Sequence, residues 1–241
     1  MDGGTETAWA PRVATSVVKR FFDVAVSATM LVVLSPVLAL AAAAIRLTMG
    51  RPILYRQKRP GLNGEPFTIL KFRTMSNARS ADGKLLPDDQ RVTRVGRWLR
   101  KSSVDELPEL LNVLRGEMSL VGPRPLLMSY LGRYSPQQAR RHEARPGLTG
   151  LAQISGRNAL SWPERLALDV DYVDHWNFWL DIRILFTTAR KLSTGSDESA
   201  DGTIRAQVFM GEDAAVDTGR APQWDPEQDD IEDETIRRRS A

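Results

Sequence analysis

The sequence predicts an α+β fold, rich in helix and associated with a membrane. Three observations carry that expectation. An uncharged run of 22 residues extends from Val24 to Ile45. Two strand-like stretches, about 53–57 and 66–74, flank an Asn-Gly turn signal. Later segments repeat apolar residues at helical period, one of them rich in aromatics. The elements expected are a re-entrant N-terminal membrane helix, a small β-hairpin and interfacial amphipathic helices. With 241 residues the chain can build one core-forming domain plus extensions.

The uncharged run comes first. As a straight helix it would measure roughly 33 Å, against a bilayer core of about 30 Å. It is longer than the apolar part of a signal peptide, and the leader before it is acidic at its start. A helix buried in an ordinary core is the plain alternative. Lys19 and Arg20 precede the run; Arg46, Arg51, Arg56, Lys58 and Arg59 follow it. Positive residues favour the cytoplasmic side, so both ends favour the same side. In the middle stand Ser35 and Pro36. Pro36 has no N–H and clashes with the carbonyl of Val32, which breaks or bends a helix. The Ser35 hydroxyl can satisfy part of the freed backbone. A helix that enters, turns at Ser35-Pro36 and returns fits both facts; a kinked single span is the alternative.

Charge divides the remainder. Residues 51–101 hold 13 Lys/Arg and 4 Asp/Glu, a net +9 that attracts phosphates, nucleic acid or acidic lipid. Residues 195–241 hold 5 Lys/Arg and 13 Asp/Glu, a net −8 in a segment poor in apolar residues. That composition predicts disorder. The divisions expected are a flexible leader (1–16), the re-entrant membrane helix (17–50), the main domain (51–192) and the acidic tail (193–241). Cysteine is absent and only His142 and His175 are present. Disulfides and thiolate zinc sites are excluded, and a His-based metal site or triad is disfavoured. Chemistry based on carboxylates, arginines and an oxygen-ligated metal stays open.

In the second strand the alternation puts Lys71 and Arg73 on one face. Residues 76–90 read as an exposed loop. Arg94, Arg97 and Arg100 then follow at i,i+3 steps on one helical face, where they repel unless an anion lies between them. A solvated basic helix is the alternative. "RPGLTGLAQISGRN" is Gly-rich with a strand-like centre; its glycines permit close backbone approach or tight turns. Ser161 and Glu164 stand in capping-box spacing with Pro163 in the first turn. Phe178, Trp179, Ile182, Leu185 and Phe186 follow near helical period, fitting either a membrane surface or an ordinary core.

Asp105 and Glu106 are the acids of most interest. Ser103 and Glu106 match a capping box, and Asp105 is itself a candidate N-cap for a helix that Gly116 can end. Capping is therefore the structural alternative to chemistry. A helix N-terminus favours an anion, and cations crowd the residues upstream; both effects predict an ionised Asp105. An ionised carboxylate is what a nucleophile needs. Arg124 follows, rigidly held between Pro123 and Pro125.

Taken in order, "KFRTM" (71–75), "TRVGRWLR" (93–100), "SSVDELPELLNVLRGEMSLVGPRP" (102–125), "RPGLTGLAQISGRN" (145–158), Asp169 to Val173 and "LDIRIL" (180–185) resemble the monotopic phosphoglycosyl transferases of bacterial glycoconjugate assembly. The Ser-Pro break matches as well, and the resemblance covers roughly residues 17–192. It implies a catalytic domain over 51–192 at the cytoplasmic face of the bacterial cell membrane. It implies transfer of a sugar 1-phosphate from a UDP-sugar to polyprenyl (undecaprenyl) phosphate, giving polyprenyl diphosphosugar and UMP. Such transfer begins the assembly of exopolysaccharide, capsule, O-antigen or glycoprotein glycans. Asp105 corresponds to the nucleophile that forms a covalent phosphosugar, and Glu106 to the acid linked to Mg²⁺ and catalysis. Lys71, Arg73, Arg97, Arg100, Arg124 and Arg157 are assigned to phosphate or nucleotide contacts. Asp169 is expected to orient an arginine or assist the metal. The partners implied are the lipid bilayer and downstream glycosyltransferases, and no nucleic acid.

The physics accords with that assignment. Mg²⁺ and arginines offset the repulsion between a carboxylate and a diphosphate. UMP leaves as a stabilised anion, so the scarcity of histidine is no obstacle. The rival from another class is a membrane-tethered protein whose basic block binds nucleic acid or anionic lipid. It leaves the Asp105-Glu106 pair and the Pro-Arg-Pro turn without a task. A two-carboxylate glycosidase is disfavoured, because adjacent residues on one turn rarely place carboxyls across a sugar ring.

Overall fold

The computed structural model of the protein describes residues 16–156, 160–194, 209 and 211. Its order is two long helices, a β-hairpin, short helices around a second small sheet, and two closing helices. Helix α1 (Val17–Val33) begins at Ser16, whose hydroxyl accepts the Lys19 N–H at 3.2 Å. Helix α2 (Ser35–Met49) follows after Leu34, with Pro36 in its first turn. The two axes bend by 62°. Ser35 Oγ donates to the Val32 carbonyl at 2.8 Å, satisfying a group that Pro36 leaves unbonded. No single helix among the described residues is long and apolar enough to cross a membrane; α1 and α2 together pass that test as a bent pair.

α1 has an inverted surface. Lys19, Asp23 and Ser27 lie at i, i+4, i+8 and are buried against the body. Lys19 Nζ donates to Val121 O (3.0 Å) and pairs with Asp181 Oδ2 (2.5 Å). Asp23 Oδ1 accepts the Leu120 N–H at 3.1 Å. Val17, Phe21, Val32 and Val33 face outward instead, and Val37, Leu40 and Leu47 continue that exposure along α2. Buried polar groups help dock α1, whereas α2 docks through apolar Ala41 and Ile45, and both helices leave apolar residues outside.

The hairpin pairs β1 (Leu54–Pro60) with β2 (Pro66–Phe72) antiparallel, Leu54 opposite Phe72 and Pro60 opposite Pro66. Its first strand runs three residues further than the sequence suggests. Asn63 and Gly64 both take positive φ, 55° and 79°, and the Glu65 N–H reaches Leu62 O at 3.1 Å. This is the left-handed pair that an Asn-Gly step favours. Loop 76–90 is irregular apart from an isolated Arg79–Leu85 bridge and the start of α3 (Asp88–Arg91). Helix α4 (Arg94–Lys101) is capped by Thr93. It presses on the end of the hairpin so closely that a Cβ at Gly96 would lie 1.9 Å from Thr74 O.

Helix α5 (Glu109–Arg115) ends at Gly116, which takes φ 86° as the C-cap. β3 (Ser119–Val121) pairs in parallel with β4 (Gly147–Thr149). The strand-like centre expected in "RPGLTGLAQISGRN" is confined to those three residues, because Leu151–Ser155 is a short helix, α7. Its glycines serve backbone against backbone: a Cβ at Gly147 would meet Gly122 N at 2.1 Å. Between the strands of this sheet lie a 3₁₀ turn (Met128–Arg133) and the short helix α6 (Pro136–Ala139). Helix α8 (Trp162–His175) has both halves of the expected capping box, with the Ser161 N–H on Glu164 Oε2 at 2.8 Å. Helix α9 (Phe178–Thr194) closes the fold with Ile184 buried and Trp179 77% exposed.

The main core joins Phe67 and Ile69 of the hairpin to Leu110, Val113, Leu120, Val121, Tyr172 and Ile184. A smaller cluster packs Ala41 and Ile45 of α2 on Phe72 and Leu99. The acidic tail departs from its expected disorder at one described residue. Phe209 is only 4% exposed, set among Tyr130, Tyr134 and Trp162 at 5.5–5.6 Å between ring centroids. Arg133 Nη1 holds its carbonyl at 2.6 Å. The leader up to residue 15 and the tail beyond 194, apart from Phe209 and Gly211, lie outside the described residues.

Candidate active site

The site gathers where the hairpin, α4, α5 and the Pro-Arg-Pro turn meet. Asp105 and Glu106 lie on a single 3₁₀ turn, Val104–Glu106. The expected cap does not form: Ser103 takes a left-handed φ of 54° and makes no capping bond, and α5 starts at Glu109 behind Pro108. The reason is visible in the partners of Glu106. Its Oε1 accepts Lys71 Nζ at 2.7 Å and Arg124 Nη2 at 2.6 Å. Two cations outbid a backbone N–H for the carboxylate.

Lys71 comes from β2 and also reaches Glu109 Oε1 at 3.1 Å. Glu109, at 3% exposure, is an acid that no local sequence pattern marks. Arg124 is 45% exposed at its side chain, so one side of this cluster is open. The Arg124 carbonyl is held from behind by Arg141 Nη2 at 2.7 Å. Arg141 is fully buried and forked on Asp169 Oδ2 through Nε (3.0 Å) and Nη2 (2.6 Å). Asp169 thus orients an arginine, and that arginine, Arg141, was also not foreseen. A buried Arg–Asp pair has no local sequence signal, since 28 residues separate the partners.

The remaining candidates separate. Arg100 Nε donates to Thr74 Oγ1 at 2.9 Å, and its charge acts on Asp105. Arg97 is exposed on α4. Arg73 turns away from Lys71, because the strand ends at Phe72. It is buried, and donates to the carbonyls of Met75 (2.8 Å), Arg51 (3.2 Å) and Met49 (3.4 Å). Its guanidinium therefore ties the hairpin to the end of α2. Arg157 lies outside the described residues.

Burial, then the charge of Glu106, pushes the Asp105 carboxyl up to about 6, against the pull of Lys71, Arg100 and Arg124. The sequence predicts a carboxylate favoured in its ionised form at a helix start. The structure reverses the sign, because the carboxyl is buried, a second carboxylate is adjacent and α5 begins four residues later. For Glu106, burial opposes ionisation but Arg124 and Lys71 prevail and hold it well below the usual range. Burial, and the charge of Glu106, push Glu109 up to about 7, against Lys71. Arg124 is raised, chiefly by Glu106.

Above about pH 6 Asp105 is an ionised, comparatively basic carboxylate under the influence of the charges of Lys71, Arg100 and Arg124. That is a carboxylate suited to attack phosphorus. Asp105 and Glu106 supply only oxygen donors, the set a hard divalent cation prefers. Both cationic partners of Glu106 contact Oε1, which leaves Oε2 for such an ion. Among the described residues no three His, Cys, Asp or Glu side chains converge on one point, so substrate oxygens and waters would complete the shell.

The sequence profile described as "Bacterial sugar transferase" matches residues 14–195. The sugar transferase EpsL of Bacillus subtilis is 50% identical over 195 residues, covering 81% of this chain and 96% of its own. A UDP-glucose:undecaprenyl-phosphate glucose-1-phosphate transferase of Caulobacter vibrioides is 48% identical over 194 residues, covering 76% of this chain and 73% of its own. An undecaprenyl-phosphate glucose phosphotransferase of Komagataeibacter xylinus is 44% identical over 191 residues; the match covers 72% of this chain and 35% of that longer protein. The carboxylate dyad, its cations and the Pro-Arg-Pro turn all lie inside the matched region. The chain belongs to the bacterial sugar transferase family and is a phosphoglycosyl transferase.

Proposed function

We propose that the protein transfers a sugar 1-phosphate from a UDP-sugar to undecaprenyl phosphate, releasing UMP, through a phosphosugar carried on Asp105. The observation that carries the proposal is geometric: Asp105 shares one 3₁₀ turn with Glu106, whose Oε1 accepts Lys71 Nζ at 2.7 Å and Arg124 Nη2 at 2.6 Å. Relatives named for undecaprenyl phosphate and for UDP-glucose support the acceptor and the donor class. A relative named UDP-galactose-lipid carrier transferase, from Erwinia amylovora, adds galactose to the sugars worth testing. Two relatives named as exopolysaccharide production proteins support a place at the start of exopolysaccharide assembly.

Mechanistically, Arg124 and Lys71 bind the diphosphate and orient its β-phosphorus toward Asp105. An Asp105 oxygen attacks, the bond to the UMP oxygen breaks, and UMP departs as an anion that needs no general acid. The undecaprenyl phosphate oxygen then attacks the same phosphorus and frees Asp105, so kinetics are ping-pong. Glu106 would hold Mg²⁺, which would neutralise phosphate oxygens when bound. The exposed apolar face of α1 and α2, with Trp179 and Phe186 of α9, is proposed to enter the cytoplasmic leaflet. The bend at Ser35-Pro36 would return the chain to the same side as a re-entrant helix. This placement would bring the lipid phosphate to the site and limit hydrolysis of the acyl phosphate.

The test is a panel of UDP-sugars assayed for UMP release with undecaprenyl phosphate and Mg²⁺, with Asp105→Asn as the blank. Acid-quenched wild-type enzyme should gain the mass of one phosphosugar at residue 105. Normal turnover by the Asn variant would refute the proposal.

A further inference from the structure

Glu109 has no part in the reaction as drawn, yet it is placed at some cost. It is nearly inaccessible, and a carboxylate at that depth is unfavourable unless paired. It does not cap α5, whose N-cap is Pro108 without a side-chain bond. Its contact is with Lys71, whose Nζ stands 3.1 Å from Glu109 Oε1 and 2.7 Å from Glu106 Oε1. The ammonium donates to Glu106 and lies within ion-pair distance of Glu109, whose buried Oε1 has no hydrogen-bond partner of its own. An ammonium has three donors that rotate freely, so it can shift between such partners at little cost.

We propose that Glu109 is a positioning residue that draws Lys71 off Glu106 when the Glu106 carboxylate takes a divalent cation. The inference rests on the proposed function only in taking Glu106 as a ligand of the ion. Arg124 already contacts the same Oε1, so a cation arriving at Glu106 meets two positive neighbours. Glu109 gives one of them a second place to go, within the site and near the phosphates. Without Glu109, Lys71 keeps a single carboxylate partner and competes with the ion directly. The consequence is a weaker cation site in a protein that still folds.

The isosteric Glu109→Gln variant separates this from packing. Mn²⁺ is titrated against the full chain in detergent with UDP present, and free Mn²⁺ is read by electron paramagnetic resonance, without turnover. The dissociation constant should rise about tenfold, as for other partners that orient metal ligands. The thermal midpoint should stay at or above wild type. In the UMP-release assay the Mg²⁺ needed for half-maximal rate should rise by a similar factor, with the maximal rate recovered at saturation. Glu109→Asp, which keeps the charge on a shorter arm, should show a smaller shift, and it decides the matter should the Gln variant not fold. Unchanged Mn²⁺ affinity in the folded variant overturns the inference, and so does wild-type protein that binds no Mn²⁺. Wild-type protein that binds Mn²⁺ but releases no UMP would instead sink the proposed reaction, while the titration still reads the Glu109–Lys71 coupling.

Discussion

Asp105→Asn, followed by thermal unfolding rather than turnover, tests the electrostatics of the dyad directly. The folded protein raises the Asp105 carboxyl from 3.8 to about 6, through burial and then Glu106. A raised carboxyl means that the folded state holds the proton more tightly than the unfolded one. Ionisation therefore subtracts stability, starting above pH 3.8 and fully subtracted above about pH 6. At 1.36 kcal/mol per pKa unit the full penalty at pH 8 is about 3 kcal/mol. Asp105 retains some solvent contact, and the Asn amide needs its own partners, so about 1–2 kcal/mol is the expected gain. For a domain of this size that is about 3–6 °C in the melting midpoint. The assay compares wild type and Asp105→Asn in the same detergent from pH 8 to pH 4. The variant should melt higher at pH 8, and the gap should close as the pH falls through 6 toward 4. A variant that is less stable at pH 8, or a gap that does not change with pH, would refute the reasoning.

Three further outcomes follow from the same geometry. The rate at low donor concentration should fall about tenfold per pH unit below about pH 6, as Asp105 takes up its proton, measured by UMP release at fixed Mg²⁺. Asp169→Asn should cost about 3–5 kcal/mol by leaving Arg141 buried without its counter-charge, and should raise the donor KM as Arg124 loosens, measured by melting and by steady-state kinetics. Phe209→Ala should cost about 3–5 kcal/mol in melting experiments, because a residue inside the ring of Tyr130, Tyr134 and Trp162 leaves a cavity there. An unaltered midpoint would show that the tail is not held at this point.

What was legible in the sequence was local. The break at Ser35-Pro36, the Asn63-Gly64 turn, the Ser161/Glu164 capping box and the Gly116 stop each depend on neighbouring residues and stand as read. Local signals failed where a distant partner prevailed. Ser103 and Glu106 have capping-box spacing, but Lys71 and Arg124 claim Glu106. Alternation put Arg73 beside Lys71, but the carbonyls at the end of α2 turn it aside. The strand-like centre of "RPGLTGLAQISGRN" shrinks to Gly147–Thr149, and a helix starts at Leu151 where the close Gly122–Gly147–Gly150 backbone contacts end. Arg141 and Glu109 escaped notice because neither belongs to a pattern; each is explained only by what it touches. Phe209 left a faint trace, as the centre of the apolar triplet Val208-Phe209-Met210 in an otherwise acidic tail.

The helix behind the dyad shows how these pieces act together. α5 has seven residues, too few to persist alone. Its C-terminal carbonyls are taken by Arg20 of α1, which donates to Val113 O at 2.6 Å and Leu114 O at 2.9 Å. Arg145 Nε adds Gly116 O at 3.0 Å. At the other end Glu109 is held by Lys71 of the hairpin. Cations at the C-terminus and an acid in the first turn both suit the helix dipole. One anchor belongs to the helix whose other face is apolar and exposed, and the other belongs to the strand that faces Glu106. The position of the dyad is therefore set between α1 and the hairpin. A substitution at Arg20, far in sequence from Asp105, should disturb the dyad more than its own surface position suggests.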